Sequence, residues 1–365
     1  MRNKIENQLL RLCCRTHADA QCAERIAVLS KLDLDWEFVL TFAHYHKVVP
    51  LVHKNLFARG SAPDFVIDRL NRTRKLNTIN LLSRVGALTK IVAAMSAAGI
   101  EALPYKGPLL ALIAYGDISL RMCGDIDLMV KSADVPAAIQ VLTGLGYRTF
   151  QDADGVEAAA GEDFESDTST EDTVMDEVGY HRAFVSENGL TIVELHWHFR
   201  PRYVPMSLDI EQLWQQLETV PFAGAPVLSF PLEPLLVLLS AHGTKHRWSR
   251  MMWLCDIAEL IRKHPDLDWD KVCHTAKSMG MTRNLSVGLW LAHSLLDAPI
   301  PQDVLASCSW MCRNIADSIA RDTLEKTRTQ PGRFAMAIYN LAIVERRDTR
   351  LAAMLGSLTG ANGQR

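Results

Sequence analysis

A short apolar stretch that carries two carboxylates constrains the fold more than any other feature of the sequence. Asp125 and Asp127 flank Ile126, and the apolar residues 128–130 follow directly, a pattern typical of a buried β-strand. Residues i and i+2 of a strand point to the same face, so the two carboxylates are expected to project together. Two such groups repel each other and lose hydration unless a cation lies between them. A hard divalent ion such as Mg²⁺, which takes oxygen ligands, is the natural cation for this position.

A third carboxylate completes the pattern. Glu194 is the lone acidic residue in the apolar segment 192–195, and a buried carboxylate is costly unless it is paired or bound to metal. If the two segments are adjacent strands, Asp125, Asp127 and Glu194 form a three-carboxylate cluster. Such a cluster can hold one or two Mg²⁺ ions, which activate an attacking hydroxyl and stabilise a phosphate during transfer.

Composition sets broad limits on the class of protein. The chain has 365 residues, of which 48% are hydrophobic and 22% charged, with a net charge of −3. These values are typical of a soluble globular protein with two or three domains, and they give no global sign of nucleic-acid or membrane binding. The eight cysteines show neither a Cys-x-x-Cys pair nor zinc-type spacing. The N-terminus lacks the apolar core of a signal peptide, so a reduced cytoplasmic location is expected.

Hydrophobic periodicity predicts three consecutive regions. Residues 1–85 read as successive helices, residues 86–200 as an α/β core, and residues 201–365 as a second helical region. Within the core, residues 151–179 are rich in acidic and small polar residues and are predicted to be a mobile insertion.

Local signals divide these regions further. Asp35 is placed to cap a helix over the following residues, and a second helix is expected to begin at Pro50. A separate helix is expected over 88–98 after Gly86, and Asn188-Gly189 predicts a hairpin between two strands. From residue 209 onward only helices are expected, including one over 334–355.

With these carboxylates, the chain resembles the nucleotidyltransferase superfamily, which has the DNA polymerase β-like fold. More narrowly, it is similar to a poorly characterised bacterial nucleotidyltransferase family, and the likeness covers about residues 35–262. The shared motifs are Lys106-Gly107, Tyr115, Arg121, Asp125-Ile-Asp-Leu128, Gly146-Tyr147, His181 and Glu194-Leu-His-Trp197, with a later cluster over residues 242–256.

The resemblance implies an α+β fold, a mixed β-sheet with helices between two helical regions, and an enzyme dependent on Mg²⁺ or Mn²⁺. Such an enzyme moves a nucleoside monophosphate from an NTP such as ATP to a hydroxyl or phosphate of a small molecule or peptide, and it releases pyrophosphate. Asp125 and Asp127 would bind the metal, and Glu194 would complete the site or act as general base.

The resemblance also assigns nucleotide-binding residues, which are Lys106, Gly107, Arg121, Lys245 and His246. Pro108 departs from the superfamily, which usually has Gly or Ser after the glycine, because proline offers neither an N–H nor a hydroxyl to the triphosphate. Binding is therefore expected to depend on side chains, with Lys106 as a point charge and Arg121 as a bidentate fork. The alternative for these two residues is a counter-charge role that only holds the carboxylates.

The sequence leaves alternative roles open for several residues and for the protein as a whole. Lys245 and His246 share a polar helix stripe that is either a triphosphate ligand or a solvated face, and Asp256 is expected to pair with one of its basic groups. His196 either contacts a metal-binding residue or the substrate, or it is an ordinary strand histidine. The whole protein is alternatively a non-catalytic nucleotide- or partner-binding module, or a toxin-type transferase acting on tRNA, although the composition makes a nucleic-acid partner unlikely.

Overall fold

The computed structural model describes residues 3–60, 62–149, 181–198 and 210–325, together with Tyr339 and Ile343. The protein is α+β, with many helices and a mixed five-stranded sheet, as predicted. The predicted acidic insertion 151–179 lies outside the described residues, and so does most of the helix predicted over 334–355.

Internal contacts divide the described residues into two units rather than three consecutive regions. A helical unit holds residues 3–60, 62–79, 110–122 and 232–325, and an α/β unit holds residues 80–109, 123–149, 181–198 and 210–231. The helices at the beginning and end of the chain thus belong to one unit, because helices distant in sequence pack against each other there.

Within the described residues, the helical unit contains ten α-helices, part of the long helix described below, and two short helical turns, Ala111–Tyr115 and Ile118–Leu120. The bounds of the ten α-helices are α1 Lys4–Cys13, α2 Ala20–Leu29, α3 Trp36–Tyr45, α4 Val49–Phe57, α9 Leu232–Lys245, α10 Met251–Lys263, α11 Trp269–Ser278, α12 Thr282–Leu296, α13 Gln302–Ser307 and α14 Trp310–Glu325. The sequence signals for α3 and α4 are confirmed. The Asp35 side chain accepts a hydrogen bond from the Phe38 N–H at the start of α3, and Pro50 lies in the first turn of α4.

Trp248 forms the centre of the packing in this unit. Its side chain is fully buried, and its ring lies so close to α9 that a Cβ added at Gly243 would be 2.3 Å from the nearest ring atom. Gly288 on α12 also faces the ring, with 3.0 Å to the nearest ring atom from an added Cβ. The two glycines therefore provide the space that the indole ring fills.

Helix α5 runs unbroken from Asp64 to Ala97, over 34 residues. The expectation of a separate helix after Gly86 is wrong, because Gly86 is an exposed position inside this helix and a single glycine costs only about 1 kcal/mol there. By length and composition α5 is also the one helix within the described residues that could cross a membrane, with 22% of the relevant window buried. Helices of soluble proteins meet the same two criteria.

The α/β unit contains the five-stranded sheet. Its strands are β1 Leu103–Pro104, β2 Ile126–Met129, β3 Tyr147–Thr149, β4 His181–Ser186 and β5 Ile192–His196, in the spatial order β1-β2-β5-β4-β3. Strands β2 and β5 are parallel, and the other pairs are antiparallel. The predicted hairpin at Asn188-Gly189 joins β4 to β5, and Gly189 has the positive φ of 70° that such a turn requires. Short helices accompany the sheet, namely α6 Gly107–Leu110, α7 Val135–Gly144 and α8 Ile210–Gln215.

A second, two-stranded sheet corrects the expectation that only helices follow residue 209. Strands β6 Glu218–Phe222 and β7 Ala225–Ser229 pair antiparallel across the turn formed by Ala223 and Gly224. Both turn residues have positive φ, 49° and 84°, which suits a tight two-residue hairpin. The alternation of Val227 and Ser229 on the buried side is too short to stand out among the neighbouring helical patterns.

Candidate active site and metal centre

The two central parallel strands bring two carboxylates side by side. Asp127 on β2 is the direct register partner of Glu194 on β5, and each residue is only 3% exposed. The alternation of apolar and acidic residues leaves these side chains on one face while their neighbours Ile126 and Leu195 fill the core. The prediction that the two acidic segments lie on adjacent strands is therefore confirmed.

Lys106 supplies a positive charge to this carboxylate pair. It follows β1, and its Nζ lies 2.7 Å from Asp127 Oδ1, with the lysine side chain 11% exposed. Burial lowers the pKa of Lys106, but the negative charge of Asp127 outweighs burial and holds that pKa well above its usual value. For Asp127, burial raises the pKa, but Lys106 and His196 together keep it below the usual carboxyl range. The ion pair thus keeps both groups charged at neutral pH.

His196 is the third member of the cluster. Its Nε2 lies 3.2 Å from Glu194 Oε2 and 3.6 Å from Asp127 Oδ1. Burial lowers the pKa of His196, whereas its contacts with the two carboxylates raise it, and the net shift is upward. Two rings position the imidazole: His181 stacks on it at 5.2 Å between centroids, and the Tyr105 ring meets it at 84°.

These three side chains fit a divalent cation. One ligand atom from each of Asp127, Glu194 and His196 lies within 4.8 Å of the others, and all three residues are buried. His196 Nε2 is buried without a hydrogen bond of good geometry, whereas Asp127 Oδ1 is in ion-pair contact with Lys106. Buried polar atoms are normally satisfied, so a buried nitrogen directed at two carboxylates indicates a position for an ion. Carboxylate oxygens and an imidazole nitrogen are ordinary ligands for such an ion.

Asp125 and Gly107 lie at the edge of this cluster. Asp125 directly precedes β2, is partly exposed, and is not one of the three residues whose ligand atoms converge. Gly107 has a φ of 57°, and an added Cβ would lie 3.3 Å from the Asp125 carbonyl oxygen. A glycine is therefore required where the chain turns from β1 into α6, close to the start of β2.

Arg121 lies in the helical unit, where it is 5% exposed and bound to a carboxylate. Its Nε donates to Asp256 Oδ1 at 2.8 Å and its Nη2 to Asp256 Oδ2 at 3.0 Å, while the Tyr115 hydroxyl donates to the same carboxylate at 2.7 Å. Burial, and then the Asp256 charge, raise the pKa of Tyr115 well above its usual value. Asp256 is ion-paired, as predicted, but its partner is Arg121 rather than the basic stripe on α9.

Lys245 and His246 lie at and just beyond the C-terminal end of α9 in the helical unit, with Lys245 exposed and His246 partly buried. His246 belongs to a ring cluster with His242 and Trp253, whose centroids lie 4.8 Å and 5.1 Å from its own. A nucleotide-binding role for Lys245 and His246 stays a prediction.

His196 is not among the metal ligands expected from the sequence, and Tyr115 is not expected beside Arg121. The signal for His196 was present, because it lies two residues after Glu194 and so on the same face of β5. No local signal could have joined Arg121 to Asp256, because 135 residues separate them in sequence.

Comparison with known proteins places the chain in a family. No curated protein matches the sequence. A solution structure of the antibiotic-resistance factor ANT(2'')-Ia is 15% identical, with 54% of this chain and 91% of that chain covered, at a TM-score of 0.32. No conclusion depends on so partial a likeness. The family described as "Uncharacterised nucleotidyltransferase" matches residues 33–297, which include every site residue described above. Because this match spans more than half of the chain, the protein belongs to the uncharacterised nucleotidyltransferase family, whose members are transferases of phosphorus-containing groups.

Proposed function

We propose that the protein moves a nucleoside monophosphate from an NTP to a hydroxyl or phosphate group of a small molecule or peptide, and that it requires Mg²⁺ or Mn²⁺. The observation that carries this proposal is the direct pairing of Asp127 with Glu194 on two parallel strands, both 3% exposed. Two buried carboxylates side by side are costly in a protein that does not use them, because their repulsion and lost hydration have to be offset.

The carboxylates would hold the metal. Asp127 and Glu194 would bind it from the centre of the sheet, and Asp125 would add a third carboxylate from the partly exposed position before β2. When bound, a divalent ion neutralises phosphate oxygens and makes the acceptor hydroxyl a better nucleophile. Catalysis of this kind depends on positioning and charge stabilisation, so the site needs no covalent nucleophile.

Lys106 would bind the phosphates from the β1 side of the site. Its ammonium group lies 2.7 Å from Asp127, so it can interact with a phosphate oxygen that approaches the same carboxylate. Pro108, which follows Gly107 and is buried, has no N–H to donate to the triphosphate. The charge of Lys106 therefore takes a larger share of phosphate binding. Lys245 and His246, which lie in the helical unit, are proposed as further nucleotide-binding residues.

The test uses a matched pair of glutamates on one hairpin. Glu194→Gln removes a buried carboxylate, and Glu187→Gln makes the same chemical change at a side chain that is 69% exposed. Each full-length variant is assayed for pyrophosphate release with all four NTPs and a metabolite extract, and products are screened by mass spectrometry for an added nucleoside monophosphate. Glu194→Gln is expected to lower the rate at least about 100-fold, equivalent to about 2.7 kcal/mol of activation free energy. Glu187→Gln is expected to keep the wild-type rate.

Asp125→Asn and Asp127→Asn extend the same test to the other strand. Both variants are expected to lose transfer. Asp125→Asn is expected to keep an intact fold by circular dichroism, because it removes a charge that repels its neighbours. Asp127→Asn leaves the Lys106 ammonium group buried without its ion-pair partner and is expected to be less stable. A Glu194→Gln enzyme that works at the wild-type rate would refute the assignment. NTP binding by calorimetry without any turnover would instead support the non-catalytic module, and labelling of tRNA would support the toxin-type transferase.

A further inference from the structure

The distances from His196 to the two carboxylates match those between ligands of one metal ion. Donor atoms that bind one ion at about 2.1 Å lie about 3 Å apart when they are at right angles and about 4.2 Å apart on opposite sides. His196 Nε2 is 3.2 Å from Glu194 Oε2 and 3.6 Å from Asp127 Oδ1, and all three ligand atoms lie within 4.8 Å of one another. Both separations from His196 Nε2 lie within this range, so one ion could contact Nε2 together with either carboxylate at ordinary bond lengths.

Among the described residues, His196 Nε2 has only ion-pair contacts with the two carboxylates. His196 is 6% exposed, and its Nε2 makes no hydrogen bond of good geometry, although two carboxylates are near. A histidine that only oriented Glu194 would be expected to donate a well-formed hydrogen bond to it. The ring is instead fixed by its stacking on His181 and its edge contact with Tyr105, so that Nε2 is directed towards the carboxylate oxygens.

We propose that His196 binds the catalytic cation directly through Nε2, together with Asp127 and Glu194, and that the site therefore prefers a first-row transition cation such as Mn²⁺ to Mg²⁺. This inference rests on the proposed function, since it concerns the cation of the same site. Mg²⁺ is a hard ion that takes oxygen ligands and keeps several waters, whereas Mn²⁺ and its neighbours in the transition series accept imidazole nitrogen as well. A site with two oxygens and one nitrogen therefore binds Mn²⁺ more tightly.

The nitrogen ligand can be detected directly by pulsed electron paramagnetic resonance. Full-length protein is loaded with Mn²⁺, with and without a non-hydrolysable NTP analogue, and the electron spin echo is examined for modulation by ¹⁴N. The same spectrum is recorded on protein grown with ¹⁵N-histidine, which separates histidine from lysine and nucleotide nitrogens. Modulation that changes from ¹⁴N to ¹⁵N with the label is the expected result.

A matched pair of histidines assigns the signal. His196→Gln is expected to remove the modulation, while His198→Gln is expected to keep it, because His198 lies beyond the end of β5 and its Nε2 faces Ser132 instead. By calorimetry, Mn²⁺ is expected to bind at least about tenfold more tightly than Mg²⁺ to the wild type, and His196→Gln is expected to lower that ratio towards one.

The outcomes separate this inference from the proposed function. If Mn²⁺ binds without histidine modulation while Glu194→Gln still abolishes transfer, the inference is refuted and the proposed function stands. If histidine modulation is present but no NTP supports transfer, the inference stands and the proposed function fails. A wild-type protein that binds no Mn²⁺, with or without the nucleotide analogue, also refutes the inference.

Discussion

Replacing Arg121 distinguishes a phosphate ligand from a structural ion pair. The guanidinium group is 5% exposed and makes two parallel contacts with Asp256, at 2.8 Å and 3.0 Å, and Asp256 is 2% exposed. Tyr115 donates a third hydrogen bond to the same carboxylate at 2.7 Å. Arg121→Met keeps most of the length of the side chain but removes its charge, so Asp256 would stay buried with Tyr115 as its remaining described partner.

The size of the effect follows from this geometry. Removing one partner of a buried ion pair costs about 3–5 kcal/mol, because the other charge loses hydration without compensation. Tyr115→Phe removes one hydrogen bond to a charged acceptor and is expected to cost about 1.5–3 kcal/mol. In the double variant Arg121→Met with Asp256→Leu, both charges are gone, so most of the lost stability is expected to return.

The assay is urea unfolding of the full-length chain, followed by circular dichroism, with NTP affinity measured by calorimetry. Arg121→Met is expected to be strongly destabilised, the double variant to be close to wild type in stability, and Tyr115→Phe to lie between them. Tyr115→Phe keeps the test informative if Arg121→Met fails to fold. The structural role would be refuted if Arg121→Met lost less than about 1 kcal/mol of stability but bound NTP at least about tenfold more weakly, since phosphate contact would then be its function.

Two further predictions concern packing and pH. Gly243→Ala would place a Cβ 2.3 Å from the buried Trp248 ring and is expected to cost at least about 3 kcal/mol of unfolding free energy. Gly86→Ala has nothing within 4 Å of the new Cβ and is expected to gain up to about 1 kcal/mol. Equal urea midpoints for the two variants would contradict this expectation. Burial, and then the charge of Arg250, lower the pKa of His46 to about 3, so the folded protein keeps this histidine neutral while the unfolded chain takes up a proton below its ordinary pKa of about 6.5. Its contribution to stability is therefore complete above about pH 6.5 and falls by about 1.4 kcal/mol for each pH unit down to about pH 3. Urea titrations of wild type and His46→Gln between pH 7 and pH 4 measure this slope, and identical slopes would show that His46 is not the group responsible.

The sequence alone predicted the features that depend on residues close together in the chain. The acidic residues in two apolar segments, the hairpin at Asn188-Gly189 and the cap of α3 by Asp35 are all local patterns, and the structure contains the two segments as strands, the hairpin and the cap. Local patterns are reliable here because strand alternation, turn geometry and helix capping involve residues only two or three positions apart.

Only the tertiary structure decided which of these residues meet. The parallel register that sets Asp127 beside Glu194 depends on how two distant strands pack, and the same packing brings His196 rather than Asp125 into the group of converging ligand atoms. Arg121 was predicted as a phosphate ligand, yet its guanidinium group binds Asp256, 135 residues further along the chain. A charged side chain can pair with any opposite charge that folding brings near it, and the sequence around Arg121 holds no information about that partner. The sequence therefore determined which side chains were available for phosphate transfer, while the fold determined which of them share a site.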